Sequence, residues 1–501
     1  MKIVERIAIN TLFIYSAKFI EGILQFAVLG YILKVLDKES YGIALLFISI
    51  QASIEILRLG LGKAAIKYMS EYLAQNNLQK AQHILSTSFF FQGLVGGGGL
   101  LICLCMIPFA TTLLNIPSDV QHASTISLVI VGVSILFNSI MTPWQFALLS
   151  YERYDLNSIS LLCGKLLRAL IIFISLSVKP SFLCIVVATS IGVLCERVIN
   201  LIFLKYLKSE FFFQLKVTSK KYASKVLTFS FFELFHTVSN ILYRHGTLFI
   251  AAHLISLNAV GDLGILFTIA QFVRVIVMQF ATMFVPIASR LNAIGEKKEI
   301  IFLVRKSATL CCVLGGGILT GLIPWIGPIL SLWIGAEYIY LAGYTILLLV
   351  SEFLFCSIGS LHSTLGGIGK IKLDGINNLA SMVFGLICGC CLIVLFDLGM
   401  LGLIWGLFLS RLLRFCFVTV YTSKMFDFAY FRFLFDCYAK PFCLIGLVIM
   451  AAKTVNLEIV QWYTVVPASI ATASVFLLLC AGFLFKQDLK IIMKEKINNY
   501  R

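Results

Sequence analysis

GINNLASMVFGLICGCCLIVLF, residues 375–396, runs for 22 residues without a charged side chain. At about 1.5 Å of rise per residue, a helix over this stretch spans roughly 33 Å, enough for a hydrocarbon core of about 30 Å. Comparable stretches recur from one end of the chain to the other. Of the 501 residues 60% are apolar and 13% charged, so a water-soluble fold would lack the polar surface to cover its core. Lipid offers the backbone no hydrogen-bond partners, which leaves helices or a closed barrel, and the alternating segments of a barrel are missing from the sequence. The sequence therefore predicts an all-α polytopic membrane protein.

We read about fourteen spans, at 8–33, 41–62, 83–110, 122–148, 157–178, 182–206, 226–254, 259–287, 303–333, 338–365, 375–396, 398–422, 441–460 and 463–485. The first is followed at once by a second and carries no small-residue cleavage site, so it reads as a retained helix and not a signal peptide. Of the 40 lysines and arginines, 27 fall in the segments that an inside N-terminus places on the cytoplasmic face, 4 in outer loops and 9 within spans. Positive flanks stay inside, so both termini are expected in the cytoplasm. The net charge of +16 is thus mostly topology, and spread over loops it does not describe a nucleic-acid surface. The 15 cysteines lie mainly in apolar helices with no clustered histidine, and read as packing residues; no metal set and no cofactor follow from them.

The two halves echo each other. AAIKYMSEYLAQNNLQKAQ (64–82) after the second span matches VPIASRLNAIGEKKEI (285–300) after the eighth, each a helix leaving the membrane into a basic amphipathic stretch. LLSYERYDLN (148–157) and LGGIGKIKLDG (365–375) follow the fourth and tenth spans as short polar turns. Equal spacing predicts two pseudo-symmetric six-helix bundles: residues 1–207, a cytoplasmic inter-bundle loop at 208–225, and residues 226–422. Residues 423–501 add a helix pair and a basic tail.

A charge at the bilayer centre costs at least about 2.5–3.5 kcal/mol, so it normally faces a partner or a wet cavity. By helical rise Lys18 lies about 15 Å from the inner end of its span, Lys165 and Arg168 roughly 12–17 Å into theirs, and Arg274 roughly 22 Å from the outer end of its own. Arg58 and Arg244 are also placed within spans. Arg411 and Arg414, and with them Arg197, lie where a long side chain can snorkel to the interface. Helical spacing joins Glu233, His236, Asn240, Arg244 and Thr247 into one stripe, Lys18, Glu21 and Gln25 into a second, Gln51, Glu55 and Arg58 into a third, and Thr268, Gln271 and Arg274 into a fourth. Such stripes point to a shared aqueous cavity with excess positive charge, suited to an anionic group such as phosphate. Internal pairing is the competing reading: Lys18 with Glu21, Glu55 with Arg58, and Glu233 with a cation on a neighbouring helix, while Glu352 could serve one of the remaining cations.

Three stretches carry a family resemblance: VLDKESYGIALLFISIQASIEILRLGLGKAAIKYMSEYLAQ (35–75), LYRHGTLFIAAHLISLNAVGDLGILFTIAQFV (242–273) and MFVPIASRLNAIGEKKE (283–299). On them the chain resembles the multidrug/oligosaccharidyl-lipid/polysaccharide exporter superfamily, and within it the bacterial polysaccharide-repeat-unit flippases. Arg58 and Thr247 stand where an aspartate is common in relatives. The resemblance implies a flippase that moves a polyprenyl-pyrophosphate-linked oligosaccharide from the cytoplasmic to the outer leaflet of the inner membrane by alternating access, for O-antigen or capsule assembly. The cationic set Lys18, Arg58, Lys165, Arg168, Arg244 and Arg274 would hold the diphosphate. Glu21, Glu233, His236 or Glu352 would carry a coupling proton, and a glycan polymerase would be a partner.

Two other readings compete. A drug or organic-cation antiporter of the same fold would favour acids at depth, whereas six cations stand here against the five acids Glu21, Glu55, Glu196, Glu233 and Glu352. A membrane glycan polymerase or ligase needs a sizeable outer loop with paired carboxylates, and NIPSDVQ (115–121), SVKPS (177–181) and SLNAVGD (256–262) are short and lack them.

Overall fold

A computed structural model describes residues 3–54, 61–110, 116–207, 234–454 and 461–484. All regular structure among these residues is helical. The chain forms two compact units. The first is Met1–Thr268 with Ile393–Met400, and the second is Ile269–Leu392 with Leu401–Arg501.

In the first unit the helices are α1 (Ile3–Val35), α2 (Lys38–Ser53), α3 (Leu61–Ala74), α4 (Leu78–Met106), α5 (Gln121–Ser150), α6 (Tyr154–Val178), α7 (Phe182–Tyr206) and α8 (Thr247–Leu254). Side chains cap several of them: Asp37 accepts from the Ser40 amide at 2.9 Å and Asn77 from the Lys80 amide at 3.1 Å. Helix α9 (Leu257–Thr282) starts in this unit and runs across its boundary. It begins within SLNAVGD, a stretch read as an outer loop, because the Ser256 hydroxyl accepts from the Ala259 amide at 3.1 Å.

The second unit continues with α10 (Phe284–Ala293), α11 (Lys297–Leu322), α12 (Ile326–Ile334), α13 (Ala342–Ser357), α14 (Gly359–Gly367), α15 (Ile371–Phe396), α16 (Gly399–Met425), α17 (Lys440–Thr454) and α18 (Trp462–Phe483). The echoed stretches fold alike. Amphipathic α3 and α10 are each followed by a long apolar helix, α4 and α11.

Twelve helices among the described residues are long and apolar enough to cross a membrane. The other two expected spans, 41–62 and 226–254, run into residues outside the described set, so α2 and α8 are only parts of them. The inter-bundle loop at 208–225 and most of the basic tail also lie outside it. The chain is thus a multi-pass membrane protein, as its composition requires.

Small residues set the helix crossings. A Cβ on Gly164 of α6 would sit 2.5 Å from the carbonyl oxygen of Gly192 in α7, and one on Gly192 would sit 2.8 Å from that of Gly164. In the second unit Gly385 and Gly389 of α15 face Gly402 and Gly406 of α16, and a Cβ on Gly406 would lie 2.8 Å from the Gly389 Cα. Two glycines four residues apart on each helix let the backbones touch where lipid supplies no hydrophobic drive. Gly406→Val is expected to lose about 1–3 kcal/mol by overpacking, read as a lowered thermal midpoint of the purified protein. The cysteines behave as packing residues: Cys311, Cys312 and Cys356 are buried free thiols, and Cys311 and Cys356 pack against Phe355 and Val277.

Candidate functional site

Among the described residues, most of the deep charges fall into two constellations, one in each unit. In the first unit Glu21 on α1 is bridged by two lysines: Lys18 Nζ at 2.8 Å from its own helix and Lys165 Nζ at 3.0 Å from α6. One turn beyond Lys165 on α6 comes Arg168, whose Cβ lies against Gly192 where the two helices touch. Arg168 makes no ion pair among the described residues, and its Nε is buried without a hydrogen-bond partner. Arg244 and the buried Tyr41 of α2 lie within electrostatic range of it.

Arg244 sits in a π turn, Leu242–Gly246, that leads into α8. A π turn widens the helix and frees a carbonyl. The Thr247 hydroxyl donates to the Tyr243 carbonyl at 2.8 Å, and Tyr243 stacks edge-on against Phe267 with centroids 5.4 Å apart. The neighbouring His245 places Nδ1 2.9 Å from the Ser49 hydroxyl of α2. Thr247 is thus fully buried and bonded to its own backbone, and it is not the polar surface group that the stripe suggested. His236 and Arg244 are half-buried, while Arg58, Glu55 and Glu233 lie outside the described residues.

The second unit carries a denser set. Three guanidinium carbons lie near the ring centre of Phe355 on α13: Arg274 of α9 at 4.5 Å, and Arg411 and Arg414 of α16 at 4.1 and 5.0 Å. One turn before Phe355, Glu352 places Oε1 3.9 Å from Arg274 and 3.8 Å from Arg411. Asp374, in the first turn of α15, is 3.3 Å from Arg414 Nη2 and 2.6 Å from His362 Nδ1 of α14. Arg411 and Arg414 are therefore buried, at 1% and 2% exposure, and do not snorkel as expected. Two carboxylates and an aromatic face receive them inside the protein, so neither has to reach the interface.

Arg197 has a similar outcome. Its Nε donates to Asn138 at 2.8 Å and its Nη1 to Gln145 at 2.6 Å and Glu196 at 3.0 Å, which ties α5 to α7. Asn138, Gln145, Phe355, His362 and Asp374 were not singled out from sequence. Their signal, a polar group or ring on a helix face, is no stronger there than that of any packed residue.

Among the described residues, Lys18, Lys165 and Arg168 lie around the carboxylate of Glu21, and Arg244 lies next to Arg168. A partly buried guanidinium with an unmet donor next to a second guanidinium is a natural receptor for a negatively charged oxygen.

Residues 7–292, more than half of the chain, match the family described as Polysaccharide biosynthesis protein. Comparison with curated proteins gives no match. Among solved structures the fold is similar to that of the lipid II flippase MurJ in an inward closed conformation (TM-score 0.69, 14% identity, 95% of this chain and 99% of that one). It is also similar to an inward-facing multidrug resistance MATE family transporter of the MOP superfamily (0.70, 13% identity, 81% and 94%). A third likeness is to a MOP superfamily transporter from Pyrococcus furiosus Vc1 (DSM3638) whose binding pocket is described as reversed in polarity (0.61, 13%, 85% and 95%). These three structures are described as transporters or a flippase. The chain belongs to the polysaccharide biosynthesis protein family and has the fold of the MOP superfamily.

Proposed function

We propose that this protein is a flippase that carries a polyprenyl-pyrophosphate-linked oligosaccharide repeat unit from the cytoplasmic to the outer leaflet of the bacterial inner membrane. The observation that carries this reading is Arg168, with its buried, unmet Nε beside Arg244, where the described cations outnumber the described acids. A diphosphate supplies the charge and the acceptors that this set lacks. Lys18 and Lys165 hold Glu21 between them, so the lysines contribute reach while Arg168 contributes the charge that no described acid pairs. Membership of a polysaccharide family, and a fold shared along 95% of the chain with a lipid II flippase, support a lipid-linked glycan as cargo. In this reading Arg58 belongs to the same cationic path, and Arg274 to the path in the second unit. Both termini are cytoplasmic, and a glycan polymerase working on the outer leaflet is the partner that consumes the product, in an O-antigen or capsule pathway.

Glu21 and Glu352 are each shared by two cations, which favour the charged carboxylate, so in this reading either takes up a proton only in a state that draws those cations away; Glu233 and His236 are the other coupling candidates. The drug-antiporter reading draws on the likeness to a multidrug transporter and predicts acids in excess, the opposite of the first constellation. The deciding experiment is restoration of surface glycan in a flippase-null host with a known repeat structure. Recovery is expected from the wild-type chain. Export of organic cations without glycan recovery would replace this function with the antiporter.

A further inference from the structure

Asp374 is 0% exposed within a segment long and apolar enough to cross a membrane. A lone carboxylate in such a place would take up a proton or recruit a cation from solution. Here a cation is built in. Arg414 Nη2 donates toward both carboxylate oxygens, at 3.3 and 3.4 Å, and His362 Nδ1 lies 2.6 Å from Oδ2. The guanidinium stays protonated in any protein environment, and it is held in place by the Phe355 ring and by the Gly402–Gly406 face that brings α16 against α15. The other buried acid of this unit, Glu352, is flanked in the same manner by Arg274 and Arg411. The position of Asp374 in the first turn of α15 adds the favourable end of a helix dipole, so groups of the fold favour the charged form of the acid.

We propose that Arg414 is a tethered cation: beside Asp374 it fills the place a diffusible monovalent metal ion would take, so the buried acid of the second unit remains charged without an ion from solution. The inference concerns ion dependence and needs no cargo. It therefore stands or falls separately from the flippase reading.

The test is thermal unfolding of the full-length purified protein in sodium chloride against N-methylglucamine chloride at equal ionic strength. The wild-type midpoint is expected to agree within about 1 °C between the two salts, since a ligand shifts stability only if it binds the folded state. Arg414→Ala removes the guanidinium from beside Asp374 and opens its place to a cation from solution. Its midpoint is expected to fall in N-methylglucamine and to rise by at least about 3 °C in roughly 0.15 M sodium, a response that a second change, Asp374→Asn, removes. Arg414→Lys keeps a tethered charge and stays insensitive. A wild-type protein stabilised by sodium would overturn the inference, as would a folded Arg414→Ala that ignores sodium. If Arg414→Ala does not fold in either salt, wild type and Arg414→Lys decide alone: insensitivity of both upholds the tethered cation, and sodium sensitivity of either sinks it.

Discussion

Arg168→Ala and Arg244→Ala are each expected to cut delivery of repeat units to the cell surface sharply while leaving the protein in the membrane. Removing one charge-assisted contact to a phosphate oxygen sacrifices about 1.5–3 kcal/mol, so glycan export should fall by roughly 10- to 100-fold. Insertion of Arg168→Ala should survive, because among the described residues Arg168 makes no ion pair and its loss relieves repulsion with Arg244. Arg168→Lys keeps the charge but loses the planar fork, and should recover only part of the export. Arg432→Ala is the internal control. Its side chain is 78% exposed, and export should be unchanged. The measurement is surface polysaccharide in the complemented flippase-null host, alongside the amount of protein in the membrane fraction. Full glycan at normal protein level in Arg168→Ala would remove the first constellation from the cargo path.

Arg411→Ala is expected to produce the largest loss of stability, about 3–5 kcal/mol, because it leaves a buried carboxylate with half of its compensation. Arg411 is among the largest fully buried side chains of the protein, and its substitution both opens a cavity beside Phe355 and strands Glu352 against Arg274 alone. The double change Glu352→Gln, Arg411→Met removes charge of both signs while keeping volume. It should regain much of the loss, since a buried ion pair seldom outperforms an apolar pair of the same shape. Thermal unfolding of the purified proteins reads both. An Arg411→Ala protein as stable as wild type would mean that Phe355 and Glu352 do not depend on this guanidinium.

Composition and periodicity made the membrane architecture legible. An uncharged stretch such as 375–396 permits little besides a spanning helix, and twelve such helices follow among the described residues. The echo of 64–82 in 285–300 likewise corresponds to two amphipathic helices, α3 and α10. Depth along a helix was read less well. It distinguishes the middle of a span from its end, but it does not say what a neighbouring helix brings to the same level. Arg411 and Arg414 were placed near an interface by counting residues, yet α13 and α15 carry Phe355, Glu352 and Asp374 to meet them. Lys165 has no acid at helical spacing on α6, and its partner Glu21 comes from α1, more than a hundred residues earlier in the chain. Pairing across helices depends on tertiary placement, which the periodicity of one segment does not encode.

The π turn at Leu242–Gly246 bears on comparison of sequences. Five residues there occupy the length that a regular helix gives to about four, so side chains beyond the turn are rotated by roughly 100° relative to those before it. An ungapped alignment that runs straight through 242–246 would set Thr247 and Arg244 opposite residues that point elsewhere in a relative lacking the turn. A one-residue offset, placed inside the turn, is needed before the chemistry at position 247 can be judged gained or lost.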